Sequence, residues 1–237
     1  MVEQKKIRLG TRPSLLALKQ TEEVVRLLGI ESCEIKVYNT SGDMNKITPI
    51  SEIEGTNFFT DTIEKALLDG EIDIAVHSAK DMPDKIPYGL VIAAVTKSID
   101  LYDALVSKKN LKLEELPEGT KIGTSSKRRK EQLKKFRNDF QIVDVRGNIE
   151  ERLKKFDNDT DLDALVIAAA GLVRLGLEEK ITHRIPFEIL TPHPLQGALA
   201  IETHRDNNEM IKLFSKLDTR KSDMIHEAKA SIPNILQ

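Results

Sequence analysis

The sequence predicts an α/β protein with two domains, each a mostly parallel sheet flanked by helices. Apolar strand-like segments alternate with helical ones along nearly the whole chain, which is typical of βαβ units. The 237 residues are enough for two compact lobes. A content of 40% hydrophobic and 31% charged residues is that of a globular protein.

The first part of the chain alternates strands and helices. KKIRLG is strand-like, and the following PSLLALKQTEEVVRLL carries apolar residues at helical spacing after Thr11, a common residue before a helix. CEIKVYNT alternates apolar and polar residues, which predicts a strand.

The next helix is predicted at NFFTDTIEKALLDG, where Gly70 is suited to end it. EIDIAVHS is a strand that leads into the charged turn AKDMP, and LVIAAVT is a further strand. After this point the pattern restarts with strands and helices at KIGTSS, KRRKEQLKKF, FQIVDVRG, NIEERLKKF, LDALVIAAA, GLVRLGL and ALAIETH.

Two places in the chain have the pattern of domain crossings. An apolar strand gives way to a mixed loop near residues 94–104, and two prolines break the helical pattern near residues 191–197. The predicted domain 1 is discontinuous, with residues 1–96 plus 190–237, and domain 2 comprises residues 97–189. Two crossings of this kind predict a cleft with a hinge.

Composition excludes several classes of partner. Lys and Arg number 36 against 38 Asp and Glu, and the basic run KRRKEQLKK has no interleaved aromatic residues, so we expect no nucleic acid as partner. No stretch is long and apolar enough for a membrane helix or a secretory signal, which predicts a cytoplasmic protein. Cys33 is the single cysteine and the five histidines lack metal-ligand spacing, so no metal site is expected.

Polar residues follow four predicted strands, where open α/β sheets bind their ligands. The segments are GTRPS, HSAKD, GTSSKRR and VRGN. In GTSSKRR, free backbone N–H groups after Ser126 favour an anion. Arg128 and Arg129 stand in the first helical turn, against the preference of the helix dipole, which also suggests an anionic ligand. A solvated basic helix face is the alternative.

Seven cations could converge at these strand ends, and arginine binds carboxylates through two parallel hydrogen bonds. Gly147 after one of them would permit a tight turn. Individually, each cation is more often an ordinary surface charge. The set is Arg12, Lys80, Arg128, Arg129, Arg146, Arg152 and Arg174.

Asp81 is the lone candidate acid or base among the strand ends. Beside so many cations it should stay ionised, which suits it to stabilise a cationic intermediate and to pass protons over short distances. The alternative is that Asp81 caps the turn before Pro83. His77 has the features of a hydrogen-bonded structural residue. Phe59 belongs to a buried helix face or lines a ligand pocket.

Six ordered segments over residues 7–206 resemble the porphobilinogen deaminase (hydroxymethylbilane synthase) family. They are GTRPSLLALKQ, DIAVHSAKDMP, IGTSSKRRKEQL, VDVRGNIEERLKKFDN, AAAGLVRLGL and QGALAIETHRDN.

The resemblance implies two domains like those of type II periplasmic binding proteins, with a cleft between them. It implies a transferase of tetrapyrrole (haem) biosynthesis that joins four porphobilinogen units head to tail and releases ammonia at each step. Porphobilinogen carries acetate and propionate groups, so the partners would be this substrate and linear pyrrole chains.

By motif match, the resemblance assigns the catalytic role to Asp81. The residues that would hold carboxylates of the dipyrromethane cofactor or of the substrate are Arg12, Ser14, Lys80, Ser126, Arg128, Arg129, Arg146 and Arg152. The further substrate-binding residues of the prediction are Phe59, Arg174 and Gln196.

The chain departs from the family pattern in three places. The family's third domain, whose C-terminal cysteine forms a thioether to dipyrromethane, is not found, so we expect a non-covalently held primer. In residues 51–59, Glu52, Glu54 and Thr56 replace a lysine- and glycine-containing loop. Leu195 replaces a glycine before the glutamine. A separate polypeptide that supplies the third domain is an open alternative.

A non-catalytic module that binds a tetrapyrrole precursor or another small polycarboxylate is the second hypothesis for function. The missing cysteine and the acidic loop favour it. The aspartate at the strand end favours an enzyme, since a binding module would not need it. A monomer is expected in either case.

Overall fold

A computed structural model describes residues 6–45, 48 and 55–220 of the chain. This part forms two compact units. Unit 1 contains the described residues 6–45, 55–98 and 198–220, and unit 2 contains residues 48 and 99–197.

Strands and helices alternate in both units. The strands are β1 (Ile7–Thr11), β2 (Cys33–Val37), β3 (Ile74–Ser78), β4 (Leu90–Val95), β5 (Asp103–Ser107), β6 (Lys121–Gly123), β7 (Gln141–Val143), β8 (Ala164–Ala168), β9 (His183–Ile185) and β10 (Leu199–His204). The α-helices are α1 (Leu15–Leu28), α2 (Ser41–Met44), α3 (Asp61–Leu68), α4 (Lys127–Phe136), α5 (Ile149–Asn158), α6 (Ala169–Arg174) and α7 (Asn208–Phe214).

Each unit contains a mixed five-stranded sheet. The strand order is β2-β1-β3-β10-β4 in unit 1 and β7-β6-β8-β5-β9 in unit 2. In unit 1 only β10 runs against its neighbours, and in unit 2 only β5 does so. The prediction of an α/β protein with two mostly parallel sheets flanked by helices is therefore confirmed.

Local sequence accounts for the ends of α1. Ser14, not Thr11, is its N-cap, and its hydroxyl accepts a hydrogen bond from the Ala17 backbone N–H. Gly29 ends the helix in the left-handed region with a φ of 62°, which costs glycine little. Gly70 adopts the same region after α3, with a φ of 69°.

The hydrophobic core of each unit lies against its sheet. In unit 1, the strand residues Leu9, Ile74 and Ile201 pack with Val24 of α1 and Phe214 of α7. In unit 2, the corresponding cluster contains Leu105, Ile122, Leu133, Phe140 and Val166. Burial of these side chains is the main favourable contribution to folding.

The structure differs from the sequence prediction in several elements. The strands β5 and β9 were not predicted, because β5 begins in the mixed loop at a predicted crossing and β9 is three residues long. α3 begins at Asp61 rather than at Asn57.

Residues 190–197, which the sequence prediction placed in domain 1, group with unit 2. The Gln196 amide donates to the Leu101 carbonyl and the Thr191 backbone pairs with the Gln132 side chain. The domain bounds drawn from the sequence stay a prediction.

Among the described helices, none combines the length and the apolar content that a bilayer crossing requires.

A group of ionisable side chains is buried in unit 1: Glu64, His77 and Glu202. His77 Nε2 lies 3.2 Å from Glu202 Oε2. Glu64 on α3 accepts hydrogen bonds from the Thr60 hydroxyl at 2.7 Å and from the Asn57 amide at 3.2 Å. Burial raises the pKa of the Glu64 carboxyl, the Thr60 hydrogen bond opposes the rise, and the charge of Glu202 adds to it.

The substitution Glu64→Gln should stabilise the chain more at neutral pH than in acid. Because the folded-state pKa of Glu64 lies above its ordinary value of 4.5, the folded chain binds this proton more tightly than the unfolded chain. The wild type therefore loses stability as the pH rises through these two values, whereas a neutral glutamine does not. We expect the difference in thermal midpoint, variant minus wild type, to increase between pH 4 and pH 7.5.

Thermal melts of both proteins across this range measure the effect, with Glu31→Gln at an exposed glutamate as the matched control. A difference that stays constant with pH, or that shrinks towards pH 7.5, would contradict the assignment of a destabilising buried charge.

Candidate functional site

In unit 1, predicted site residues follow two neighbouring parallel strands. Arg12 and Ser14 follow β1, and Lys80 and Asp81 follow β3 in a short 3-10 turn at Ala79–Asp81. Because β1 and β3 pair in parallel, with Leu9 opposite Ile74, their carboxyl ends meet at one edge of the sheet. These four residues are therefore brought to the same edge.

Arg12 is held in place by a carboxylate and an aromatic ring. Its Nη2 lies 2.5 Å from Asp43 Oδ1 on α2, and its Nε donates to both carboxylate oxygens at 3.1 and 3.2 Å. The guanidinium carbon stands 4.7 Å from the centre of the Phe59 ring, a cation–π distance. Gly42 leaves room for this ring, since a Cβ there would lie 2.2 Å from it.

Asp43 carries the counter-charge of Arg12. Burial alone would raise the pKa of the Asp43 carboxyl, but hydrogen bonds and charge attraction from Arg12, with further bonds from Thr40, lower it below its ordinary value. The ion pair with Arg12 therefore favours the ionised form of Asp43.

The turn that carries Lys80 and Asp81 is attached to the returning strand. The Ala79 N–H donates to the Ala198 carbonyl at 3.0 Å, one residue before β10 begins. Asp81 is half-buried, as is Lys80. This bond fixes the backbone next to the candidate catalytic carboxylate.

In unit 2, Asp103 holds the two arginines of the GTSSKRR segment. Arg128 Nη2 donates to Asp103 Oδ2 at 2.7 Å, and Arg129 donates to Oδ1 through Nε at 2.9 Å and Nη2 at 2.6 Å. Ser126 is the N-cap residue of α4, the helix that carries both arginines. Burial would raise the pKa of the fully buried Asp103 carboxyl, but the charges and hydrogen bonds of Arg129 and Arg128 lower it.

Gln196 and Arg174 both contact the chain crossing near residue 197. Gln196 is fully buried; its amide donates to the Leu101 carbonyl at 2.8 Å and its oxygen accepts from Arg129 Nη2 at 3.4 Å. Arg174, at the end of α6, donates to the Gly197 carbonyl at 3.0 Å. Both predicted substrate-binding residues thus hold the backbone of unit 2 at this point.

Arg146 and Arg152 belong to the connection between β7 and α5. Arg146 Nη1 donates to the Thr48 carbonyl at 2.6 Å, and Arg152 Nε donates to the Gly147 carbonyl at 2.7 Å. Gly147 has a φ of 116°, and a Cβ there would meet the Glu151 carboxylate. This positive φ and the close approach of Glu151 both favour glycine at this position. β7 pairs in parallel with β6, so this connection leaves the same sheet edge as the α4 segment.

The structure thus collects the predicted residues into two sets. The unit 1 set is Arg12, Ser14, Phe59, Lys80 and Asp81. The unit 2 set is Ser126, Arg128, Arg129, Arg146, Arg152, Arg174 and Gln196. Glu52 and Glu54 of the altered loop lie outside the described residues, and Thr56 is exposed.

Sequence reasoning missed Asp43 and Asp103, the two carboxylates that orient the arginines. Asp43 follows Thr40 at capping-box spacing, a signal that could have placed it at a helix start. Asp103 is the first residue of the apolar strand DALVS, and a single acidic residue in a buried apolar strand indicates a buried ion-pair partner. Within the described residues, no cluster of three or more His, Cys, Asp or Glu suits a metal ion.

The chain is similar to known proteins over most of its length. The family described as porphobilinogen deaminase, dipyromethane cofactor binding domain, matches residues 7–212. A porphobilinogen deaminase from Syntrophomonas wolfei is 45% identical over 94% of this chain and 74% of its own length. A second, from Natranaerobius thermophilus, is 46% identical over 92% of this chain and 71% of its own length.

One solved structure shows the likeness in fold alone. Protein PG110 from Staphylococcus aureus has a TM-score of 0.50 at 14% identity, and the match covers 95% of this chain and 91% of that one.

The identity and coverage of these relatives place the chain among transferases of tetrapyrrole biosynthesis. The chain belongs to the porphobilinogen deaminase family.

Proposed function

We propose that this enzyme joins four porphobilinogen units head to tail and releases ammonia at each step, with Asp81 as its catalytic carboxylate. The observation that carries the proposal is the place of Asp81, which shares one sheet edge with Arg12 and follows Lys80 in a turn anchored to Ala198. A carboxylate in this turn suits the stabilisation of a cationic intermediate.

The role of Asp81 follows from the charge that the reaction develops. When the C–N bond of the aminomethyl group breaks and ammonia leaves, porphobilinogen becomes a cationic, azafulvene-like species. The Asp81 carboxylate accepts a hydrogen bond from the pyrrole N–H and opposes this positive charge. After the new C–C bond forms, the same carboxylate accepts the proton that leaves the attacked carbon.

The cationic residues of each unit suit the binding of carboxylate groups. Two guanidinium groups share the single carboxylate of Asp103, so these three side chains carry one net positive charge. Dipyrromethane supplies the first pyrrole carbon to which substrate units are joined. The sequence prediction assigns the binding of its carboxylates, or of those of the substrate, to Arg12, Ser14, Lys80, Ser126, Arg128, Arg129, Arg146 and Arg152.

We further propose that dipyrromethane is held without a thioether to Cys33. Cys33 begins β2 opposite Ile7, at the amino ends of the parallel strands, and it packs against the unit 1 core. The carboxyl ends of the strands lie roughly 13 Å away at 3.3 Å per residue. Charge-assisted hydrogen bonds, at about 1.5–3 kcal/mol each, would retain the carboxylates instead. The cytoplasmic location and the monomeric state stay predictions.

The substitution Asp81→Asn should lower kcat by about 10²–10³-fold, the usual effect of removing one electrostatic stabiliser of a transition state. The KM for porphobilinogen should change little, because the cations that bind its carboxylates remain. Uroporphyrin formed after acid oxidation of the bilane product measures turnover.

The matched control is Asp84→Asn, which removes an exposed carboxylate three residues further along the chain. Equal losses of kcat in both variants would argue against a catalytic role for Asp81. If the wild-type chain itself formed no product but bound porphobilinogen, a non-catalytic binding module would replace the enzyme proposal.

The substitution Cys33→Ser should leave turnover of the 237-residue chain unchanged. The mass of the denatured chain should equal that of the polypeptide, 26.7 kDa, with no pyrrole adduct. Mass spectrometry before and after denaturation measures retention of the primer. A dipyrromethane adduct that the Cys33→Ser variant lacks would refute non-covalent retention.

A further inference from the structure

Asp103 stands at the edge of the unit 2 sheet where the neighbouring strands end. It begins β5, which runs antiparallel between β8 and β9, and it lies opposite Ala168 and Ile185. These two residues are the last of their strands. The start of β5 therefore brings a carboxylate to the edge at which α4 presents its arginines.

Asp103 uses both carboxylate oxygens for these arginines. Its Oδ2 accepts from Arg128, and its Oδ1 accepts twice from Arg129. Arg129 also donates to the Val166 carbonyl at 3.2 Å, and Arg128 donates through Nη1 to the Thr191 carbonyl. Each planar guanidinium is thus bound from two directions, which fixes its orientation.

The two arginines differ in their access to solvent. The Arg129 side chain is 6% exposed, whereas the Arg128 side chain is 24% exposed. Arg129 is therefore the buried member of the group, and Arg128 is the member that a carboxylate in solution can reach. Asp103 links Arg128 and Arg129, because each arginine binds a different oxygen of its carboxylate.

We propose that Asp103 is a positioning residue that orients Arg128, with Arg129 as a buried support, for the carboxylate groups of the substrate. This inference rests on the proposed function of the unit 2 arginines. Asp103 is not a catalytic residue, since it acts through Arg128.

Positioning and simple charge compensation predict opposite effects when Asp103 loses its charge. The substitution Asp103→Asn makes the group more positive by one unit. If Asp103 served only as a counter-ion, an anionic substrate would bind more tightly. If Asp103 orients the arginines, binding weakens in spite of the added positive charge.

We expect Asp103→Asn to raise the KM for porphobilinogen about tenfold or more, the effect of losing a well-oriented charge-assisted hydrogen bond. The kcat should fall much less, because Asp81 is untouched. The control is Asp139→Asn, which removes a carboxylate paired with Arg137 at the other end of α4 and should leave KM unchanged. A lower or unchanged KM in a folded Asp103→Asn protein would overturn the proposal.

If the Asp103→Asn protein does not fold, the substitution Arg128→Lys provides a second test of the proposal. Lysine keeps the charge but cannot span Asp103 and the Thr191 carbonyl, so KM should rise. An unchanged KM would also overturn the proposal.

A nitrogen NMR measurement separates this inference from the proposed function. The Nε–H signal of Arg129 should exchange slowly with solvent in the wild type and in Asp139→Asn, and rapidly in Asp103→Asn, whether or not the chain turns over porphobilinogen. Slow exchange in all three proteins would refute the positioning role even in an active enzyme.

Discussion

The structure of each unit depends on one antiparallel strand that immediately follows a chain crossing. β5 begins four residues after unit 2 resumes at Ile99, and β10 begins one residue after unit 1 resumes at Ala198. Each is inserted between two strands that run the other way, so the chain enters at the edge where those strands end. Each crossing therefore supplies a group to its own unit: in unit 2 Asp103 binds the arginines, and in unit 1 the Ala198 carbonyl accepts a hydrogen bond from the Ala79 N–H.

The two units stabilise buried carboxyl groups in different ways. Asp103 is surrounded by two guanidinium groups, which lower its pKa in spite of full burial. Glu64 accepts hydrogen bonds from neutral donors, and the charge of Glu202 raises its pKa while that of His77 lowers it; burial is the largest of these effects, so the pKa rises. Removal of one partner of a buried ion pair strongly destabilises the folded protein, because the other charge stays buried without compensation. The arginine cluster therefore depends on Asp103, whereas the core around Glu64 would tolerate a neutral side chain.

Most of the fold and part of the site could be predicted from the sequence, because local patterns determine them. Hydrophobic periodicity identified the long helices and the apolar strands, and the order of strands and helices placed Arg12 and Asp81 at strand ends. The strand β5 escaped prediction because tertiary pairing with β8 and β9 makes it a strand. The role of Asp103 could not be predicted for a related reason, since the two arginines that it binds lie 25 and 26 positions away in the chain.

The neighbours Arg128 and Arg129 show what a motif cannot decide. Both were given the same role, because a motif records the residue type at a position and not the direction of its side chain. Successive residues of a helix point about 100° apart, so two adjacent arginines differ in their surroundings even though both reach the carboxylate of Asp103. Arg129 is nearly buried and contacts Asp103 and the fully buried Gln196, whereas the Arg128 side chain is partly exposed. We infer that Arg128 makes the contact with substrate and that Arg129 acts through it, which makes orientation, more than the number of positive charges, the property on which carboxylate binding depends.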